Sequence, residues 1–171
     1  MAILAEMIRD VPDFPQPGIL FKDITTLLKD GAAFRQVLDE LQACCRDFNV
    51  TKVVGMESRG FIFAAPLADR LGAGFVPARK LGRLPAETVR VEYALEYGTN
   101  TIEMHRDAIA PGERVLIVDD LLATGGTCRA TISLVEELGG VVAGLAFLVE
   151  LTFLNGRELL AGYDIRTLIS Y

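Results

Sequence analysis

VLIVDDLLATGGT, residues 115–127, is the stretch that decides the fold. Val115, Leu116, Ile117 and Val118 run into adjacent Asp119 and Asp120, and Ala123-Thr124-Gly125-Gly126-Thr127 follows at once. An apolar run without polar alternation is what a strand covered on both faces requires. Helical periodicity then holds from about residue 126 to 138 and stops at Gly139-Gly140, where glycine suits a left-handed cap. The unit reads strand (114–119), small-residue loop, helix.

Working outward, the same pattern recurs. KVVGM (residues 52–56) reads as a buried strand that leads through Glu57-Ser58-Arg59-Gly60 into a helix over residues 61–71. Gly72 and Gly74 end that helix, and GFVPA (residues 74–78) is the next strand. Phe34, Val37, Leu38, Leu41, Cys45 and Phe48 recur at helical spacing, predicting an amphipathic helix over 32–48. Residues 141–150 and 165–169 read as strands and 157–161 as a short helix. Residues 83–103 are polar, alternate partly over 88–93 and carry a turn signal at Gly98-Thr99-Asn100. That predicts a projecting β-hairpin, a flexible flap. The expectation is one α/β domain over 1–171: a mostly parallel central sheet flanked by helices, with a small N-terminal cover (about 1–30) and the flap (about 83–103). In such sheets ligands bind past the carboxyl ends of the strands. The loops at 57–60 and 119–127 both fall at that edge.

Composition narrows the partners. With 17 Lys and Arg against 23 Asp and Glu, the net charge of −6 repels phosphate backbones, so no nucleic-acid partner is expected. No apolar stretch reaches spanning length and no basic-then-apolar leader precedes residue 15, so no membrane is expected and a cytoplasmic setting is. Cys44, Cys45 and Cys128 fit neither a zinc site nor a disulfide framework and read as idle thiols in a reducing compartment. The single His105 has no placed partner and is assigned to structure or surface.

The chemistry lies in 119–127. Small residues between a strand and a helix let successive N–H groups converge on one point, where the helix dipole and the Thr124 and Thr127 hydroxyls add to an anion nest. No Lys precedes the final Thr, so a nucleoside triphosphate P-loop is excluded. Asp119 and Asp120 would repel a phosphate but accept hydrogen bonds from vicinal hydroxyls or gather hydrated Mg²⁺. A phosphate nest beside two hydroxyl acceptors describes a pocket for a ribose 5-phosphate.

VLIVDDLLATGGT resembles, across all thirteen residues, the phosphoribosyl diphosphate (PRPP) signature of the type I phosphoribosyltransferases. FPQPGILFKDIT (14–25), GMESRGF (55–61), YALEYG (93–98) and LVEL (148–151) resemble the adenine branch of that family. The resemblance implies a type I phosphoribosyltransferase-like fold and a purine salvage reaction: adenine plus PRPP gives AMP and pyrophosphate, with Mg²⁺ held mainly through PRPP rather than by a protein metal site, in a homodimer. By the same resemblance Ala123, Thr124, Gly125, Gly126 and Thr127 hold the 5-phosphate, and Asp119 and Asp120 the ribose hydroxyls. Glu57, Ser58, Arg59, Arg79 and Lys80 carry pyrophosphate contacts. Leu20 packs on adenine, and backbone groups near Lys22 read its edge. Glu96 takes the proton leaving the purine, and Tyr97 lies beside it in the flap. Glu96, Asp119, Asp120 and Arg59 form the expected catalytic set. Two other readings compete: a transferase for hypoxanthine or xanthine, against which 14–25 and 93–98 speak, and a PRPP-sensing regulator that binds RNA or DNA, against which the acidic charge speaks.

Overall fold

The computed structural model describes residues 2–94 and 99–171. A short helix α1 (Ala2–Glu6) precedes an antiparallel pair, β1 (Arg9–Pro12) and β2 (Leu20–Asp23), in which Arg9 pairs with Asp23 and Pro12 with Leu20. Their connection turns at Asp13 and Gly18, both at positive φ, and Asp13 Oδ1 accepts the Gly18 N–H at 2.8 Å. Helix α2 (Thr25–Leu28) follows, and then α3 (Gly31–Cys45), whose N-cap Asp30 accepts the Ala32 and Ala33 N–H groups. The helix expected over 32–48 stops at Cys45. Residues Arg46–Phe48 tighten into a 3₁₀ turn, and Asn49 is left-handed.

The main sheet comes next: β3 (Lys52–Met56), α4 (Gly60–Leu71), β4 (Gly74–Lys80), β5 (Thr88–Ala94), β6 (Thr99–His105), β7 (Arg114–Leu122), α5 (Gly126–Glu137), β8 (Val141–Glu150), α6 (Gly156–Leu159) and β9 (Ile165–Ser170). Its strand order is β5-β6-β4-β3-β7-β8-β9. The five strands from β4 to β9 are parallel, and β6 and β5 join antiparallel at the β4 edge. Strand β7 shows why its sequence does not alternate. Leu116 and Val118 face a core shared with Val37, Leu41, Phe63 and Leu67 of α3 and α4. Val115 and Ile117 face the opposite core, with Ile132, Leu134 and Val135 of α5. Both faces are covered, so every side chain is apolar.

Two expectations change in detail. Strand β7 runs to Leu122, where the apolar run predicted an end at Asp119, because Leu121 and Leu122 still pair with Val149 and Glu150 of β8. The carboxylate pair therefore sits on a strand, not in a loop. The hairpin at 88–105 is also not free-standing: β6 pairs with β4 through Arg79–Glu103 and Lys80–Ile102, and Val89 is buried against α5. His105 stays structural, its Nε2 accepting the Ala86 N–H at the base of the hairpin.

Candidate active site

The loop of residues 123–127 is shaped by glycines on two distant segments. Gly125 has φ +86°, and a Cβ on it would lie 2.8 Å from the Gly156 carbonyl. A Cβ on Gly156 would collide with the Ala123 carbonyl. Helix α6 thus presses its first residue into the loop that opens α5. The resulting cavity, about 80 Å³, is lined by Asp119 and by Ala123, Thr124, Gly125, Gly126 and Thr127. That is room for one small anion at the N-terminus of a twelve-residue helix.

A second cavity of about 340 Å³ adjoins it and brings together Glu57, Ser58, Arg59, Lys80, Asp119, Asp120 and Thr127. The loop after β3 reaches it because Gly60 opens α4 directly against β7. A Cβ there would stand 2.8 Å from Asp119 Oδ1 and 2.9 Å from the Val118 carbonyl. The Glu57–Ser58 peptide is cis. Asp119 Oδ1 accepts the Asp120 N–H at 2.9 Å. Asp120 is buried, and its Oδ2 lies 2.9 Å from Arg59 Nε. The N–H is not aimed at that oxygen, so the contact is ionic and Oδ2 accepts no hydrogen bond among the described residues. Burial, and after it the neighbouring Asp120 charge, push the Asp119 carboxyl well above the ordinary carboxylate range. Burial also raises Asp120, less so because Arg59 opposes it.

The diphosphate candidates divide. Arg59 and Lys80 line the cavity. Arg79 Nε instead lies 3.2 Å from Glu57 Oε2, and Arg79 Nη1 donates to the Arg83 carbonyl. Glu57 Oε2 also accepts the Lys80 N–H at 2.9 Å. Burial works against a charge on Glu57, but the Lys80 N–H and the Arg79 guanidinium outweigh it and hold the carboxyl below its ordinary value. Glu57 therefore splints the end of β4, and through it Lys80, to the end of β3. Leu20 is 49% exposed on the N-terminal cover. The Lys22 ammonium is drawn away, 2.6 Å from Asp10 Oδ1 and 3.7 Å above the Tyr171 ring. Glu96 and Tyr97 lie outside the described residues.

Two contacts escaped the sequence. The Arg59 guanidinium stacks over Phe21 at 5.3 Å, tying the N-terminal cover to the cavity. Thr127 Oγ1 donates to Tyr93 Oη at 3.1 Å, tying β5 to the loop that opens α5. Spacing along the chain signals neither, although the Tyr-bearing alternation of β5 marked the strand itself.

The comparisons with known proteins meet this geometry. The family model described as phosphoribosyl transferase domain matches residues 24–161. The adenine phosphoribosyltransferase of Solibacter usitatus is 60% identical over 171 residues, covering 100% of this chain and 99% of that protein. The chain belongs to the adenine phosphoribosyltransferase family. Among solved structures of the family, the adenine phosphoribosyltransferase of Thermoanaerobacter pseudethanolicus superposes with a TM-score of 0.97 at 55% identity, over 99% of both chains. The APRTase of Giardia lamblia, solved with 9-deazaadenine, superposes with a TM-score of 0.94 at 39% identity, over 99% of this chain and 97% of that one. Family membership, fold and resemblance agree.

No cluster of three potential metal-binding side chains occurs among the described residues. The donor set is two carboxylates, and Asp120 Oδ2 accepts no hydrogen bond among the described residues. That suits Mg²⁺, which keeps several waters and is bound through one or two carboxylates plus substrate phosphates.

Proposed function

We propose that this chain transfers the 5-phosphoribosyl group of PRPP to adenine, releasing pyrophosphate and forming AMP. One observation carries the reading: a cavity the size of a phosphate at a helix N-terminus opens into a larger one floored by Asp119 and Asp120 and flanked by Arg59 and Lys80. The 5-phosphate takes the nest of residues 123–127, the ribose hydroxyls donate to Asp119 and Asp120, and the diphosphate faces Arg59 and Lys80. Arg59 leaves Asp120 Oδ2 for the diphosphate, which frees that oxygen for a hydroxyl. Breaking the C1–O bond builds positive charge on the ribose and negative charge on the leaving group, and the fixed carboxylates and cations oppose both. Mg²⁺, when bound with PRPP, neutralises diphosphate charge.

Leu20 and the backbone near Lys22 face the base, and Glu96, with Tyr97 beside it, accepts the proton that the purine nitrogen loses. A homodimer is supported by Ile62 and Phe75, exposed apolar side chains on neighbouring α4 and β4. Three free thiols suit a reducing cytoplasm, and among the described residues no helix is long and apolar enough to cross a membrane. The test is product formation with PRPP, Mg²⁺ and, in parallel, adenine, hypoxanthine, guanine or xanthine. AMP from adenine alone is expected. Another preferred base would discard the assignment of residues 14–25, and no product from any base would overturn the transfer itself.

A further inference from the structure

At the far end of the molecule from the cavity, α3 finishes in two adjacent cysteines whose thiols converge. Cys44 Sγ and Cys45 Sγ are 3.6 Å apart. Neighbouring residues on a regular helix point about 100° apart. Here Cys45 departs from helical geometry, at φ −109° and ψ −11°, as the chain tightens into the 3₁₀ turn. Cys44 Sγ also contacts the Leu41 carbonyl at 3.3 Å, and Arg166 Nη1 donates to the Cys44 carbonyl at 3.0 Å. The pair sits near the amino ends of β7 and β9, where Arg114 donates to the Phe48 carbonyl. No part of it lines the substrate cavities.

The separation decides what the pair can do. A disulfide needs sulfurs about 2.0 Å apart and Cα atoms at least about 4.4 Å apart. A trans peptide fixes adjacent Cα atoms at about 3.8 Å, so oxidation to an internal disulfide is opposed by the backbone. Two sulfurs held at about 2.3 Å by one pyramidal centre, at an angle of roughly 100°, lie about 3.5 Å apart, which is close to the 3.6 Å that the helix end already provides. We propose that Cys44 and Cys45 form a dithiol that chelates a trivalent arsenic-class thiophilic centre and does not close on itself as a disulfide. The Cys45 thiol, hydrogen-bonded to Cys44, lowers the Cys44 pKa, while that same contact and burial raise Cys45. Cys44 is the half-buried member and engages first. Cys45 is buried in the core, so the second bond requires the turn at Cys45 to open.

The reaction with phenylarsine oxide balances without redox. Two S–H bonds and the arsenic–oxygen linkage break, two As–S bonds form, and the oxygen leaves with both protons as water. The test is intact-mass spectrometry of the native chain treated with phenylarsine oxide, run beside Cys44→Ser, Cys45→Ala and Cys128→Ala, with thermal melts to confirm that each variant is folded. One phenylarsine per chain is expected in the wild type and in Cys128→Ala, stable to excess 2-mercaptoethanol and released by 1,2-ethanedithiol. None is expected to survive that monothiol wash in folded Cys44→Ser or Cys45→Ala. An unlabelled wild type, or stable label on folded Cys44→Ser, overturns the chelate. Oxidised glutathione should add one glutathionyl group at Cys44. A loss of two hydrogens instead would overturn the resistance to disulfide closure.

Discussion

Replacing Gly60 with alanine would place a Cβ 2.8 Å from Asp119 Oδ1, 2.9 Å from the Val118 carbonyl and 3.3 Å from Asp119 Cα. Two of these atoms are backbone, or nearly so, of a strand buried on both faces. Relief must come from the helix. Ordinary contact begins at 3.4 Å, so α4 has to retreat by 3.4 − 2.9 = 0.5 Å from the carbonyl and 3.4 − 2.8 = 0.6 Å from the carboxylate. Phe63, Ala64, Leu67 and Ala68 resist that movement because they are seated in the core. Overpacking of this kind costs about 1–3 kcal/mol. For a chain of this size, that lowers Tm by roughly 2–12 °C. Arg59, one residue earlier, moves with the helix while Asp119 and Asp120 stay. Misplacement approaching 1 Å costs about 100-fold in rate, so kcat/KM should fall about 10- to 100-fold. Thermal melts and initial rates with adenine and PRPP read both effects. Gly31→Ala is the control, since a Cβ there meets open space at the first turn of α3. It should hold or slightly raise Tm and leave turnover alone. A Gly60→Ala enzyme with wild-type melting and wild-type rates would refute the close approach of α4 to β7 and the site geometry built on it.

Tyr93→Phe removes the partner of Thr127 Oγ1 and should raise KM for PRPP about 3- to 10-fold, the worth of one hydrogen bond, in initial-rate measurements; an unchanged KM would mean that the contact does not serve the phosphate loop. Lys22→Met loses an ion pair to half-exposed Asp10 and a cation–π contact, so Tm should drop about 2–4 °C. KM for adenine should hold in that variant, and a rise beyond about tenfold would show that the Lys22 side chain reads the base. Asp119→Asn should abolish turnover yet raise the Tm of the ligand-free protein at neutral pH. Because the folded-state pKa of Asp119 is raised, the wild type loses stability as pH climbs from the unfolded value of 3.8 through the folded one. The variant lacks that loss, so the two melting curves should converge in acid and separate toward pH 7. Parallel curves would show that Asp119 carries no such burden.

Strands β3, β7 and β8 were legible because burial on both faces leaves only apolar side chains, and their loops because glycines and carboxylates interrupt that pattern abruptly. What the chain did not disclose is lateral. Nothing in the order of residues 20–23 says that Phe21 meets Arg59, since the contact depends on how the N-terminal pair folds back over the sheet. The contact between Glu57 and Arg79 was hidden for a related reason. Glu57 lines the cavity, but the pairing of β3 with β4 sets Arg79 against that carboxylate, and that is a matter of register. The strand is expected to end at Asp119 because the apolar run gives out there. Here the strand continues under Asp119 and Asp120, with Leu121 and Leu122 still paired to β8.

The mutual fit of Gly125 and Gly156 bears on how portable the thirteen-residue signature is. Its curvature is imposed by a helix that begins thirty residues after Gly126, at a position that carries no chemistry of its own. Grafted onto another strand and helix, the same letters would lack that buttress, and the amides would be free to splay. The ligand-holding unit is a pair of segments, and a side chain at Gly156 would act as a binding defect while every residue of the motif stayed intact.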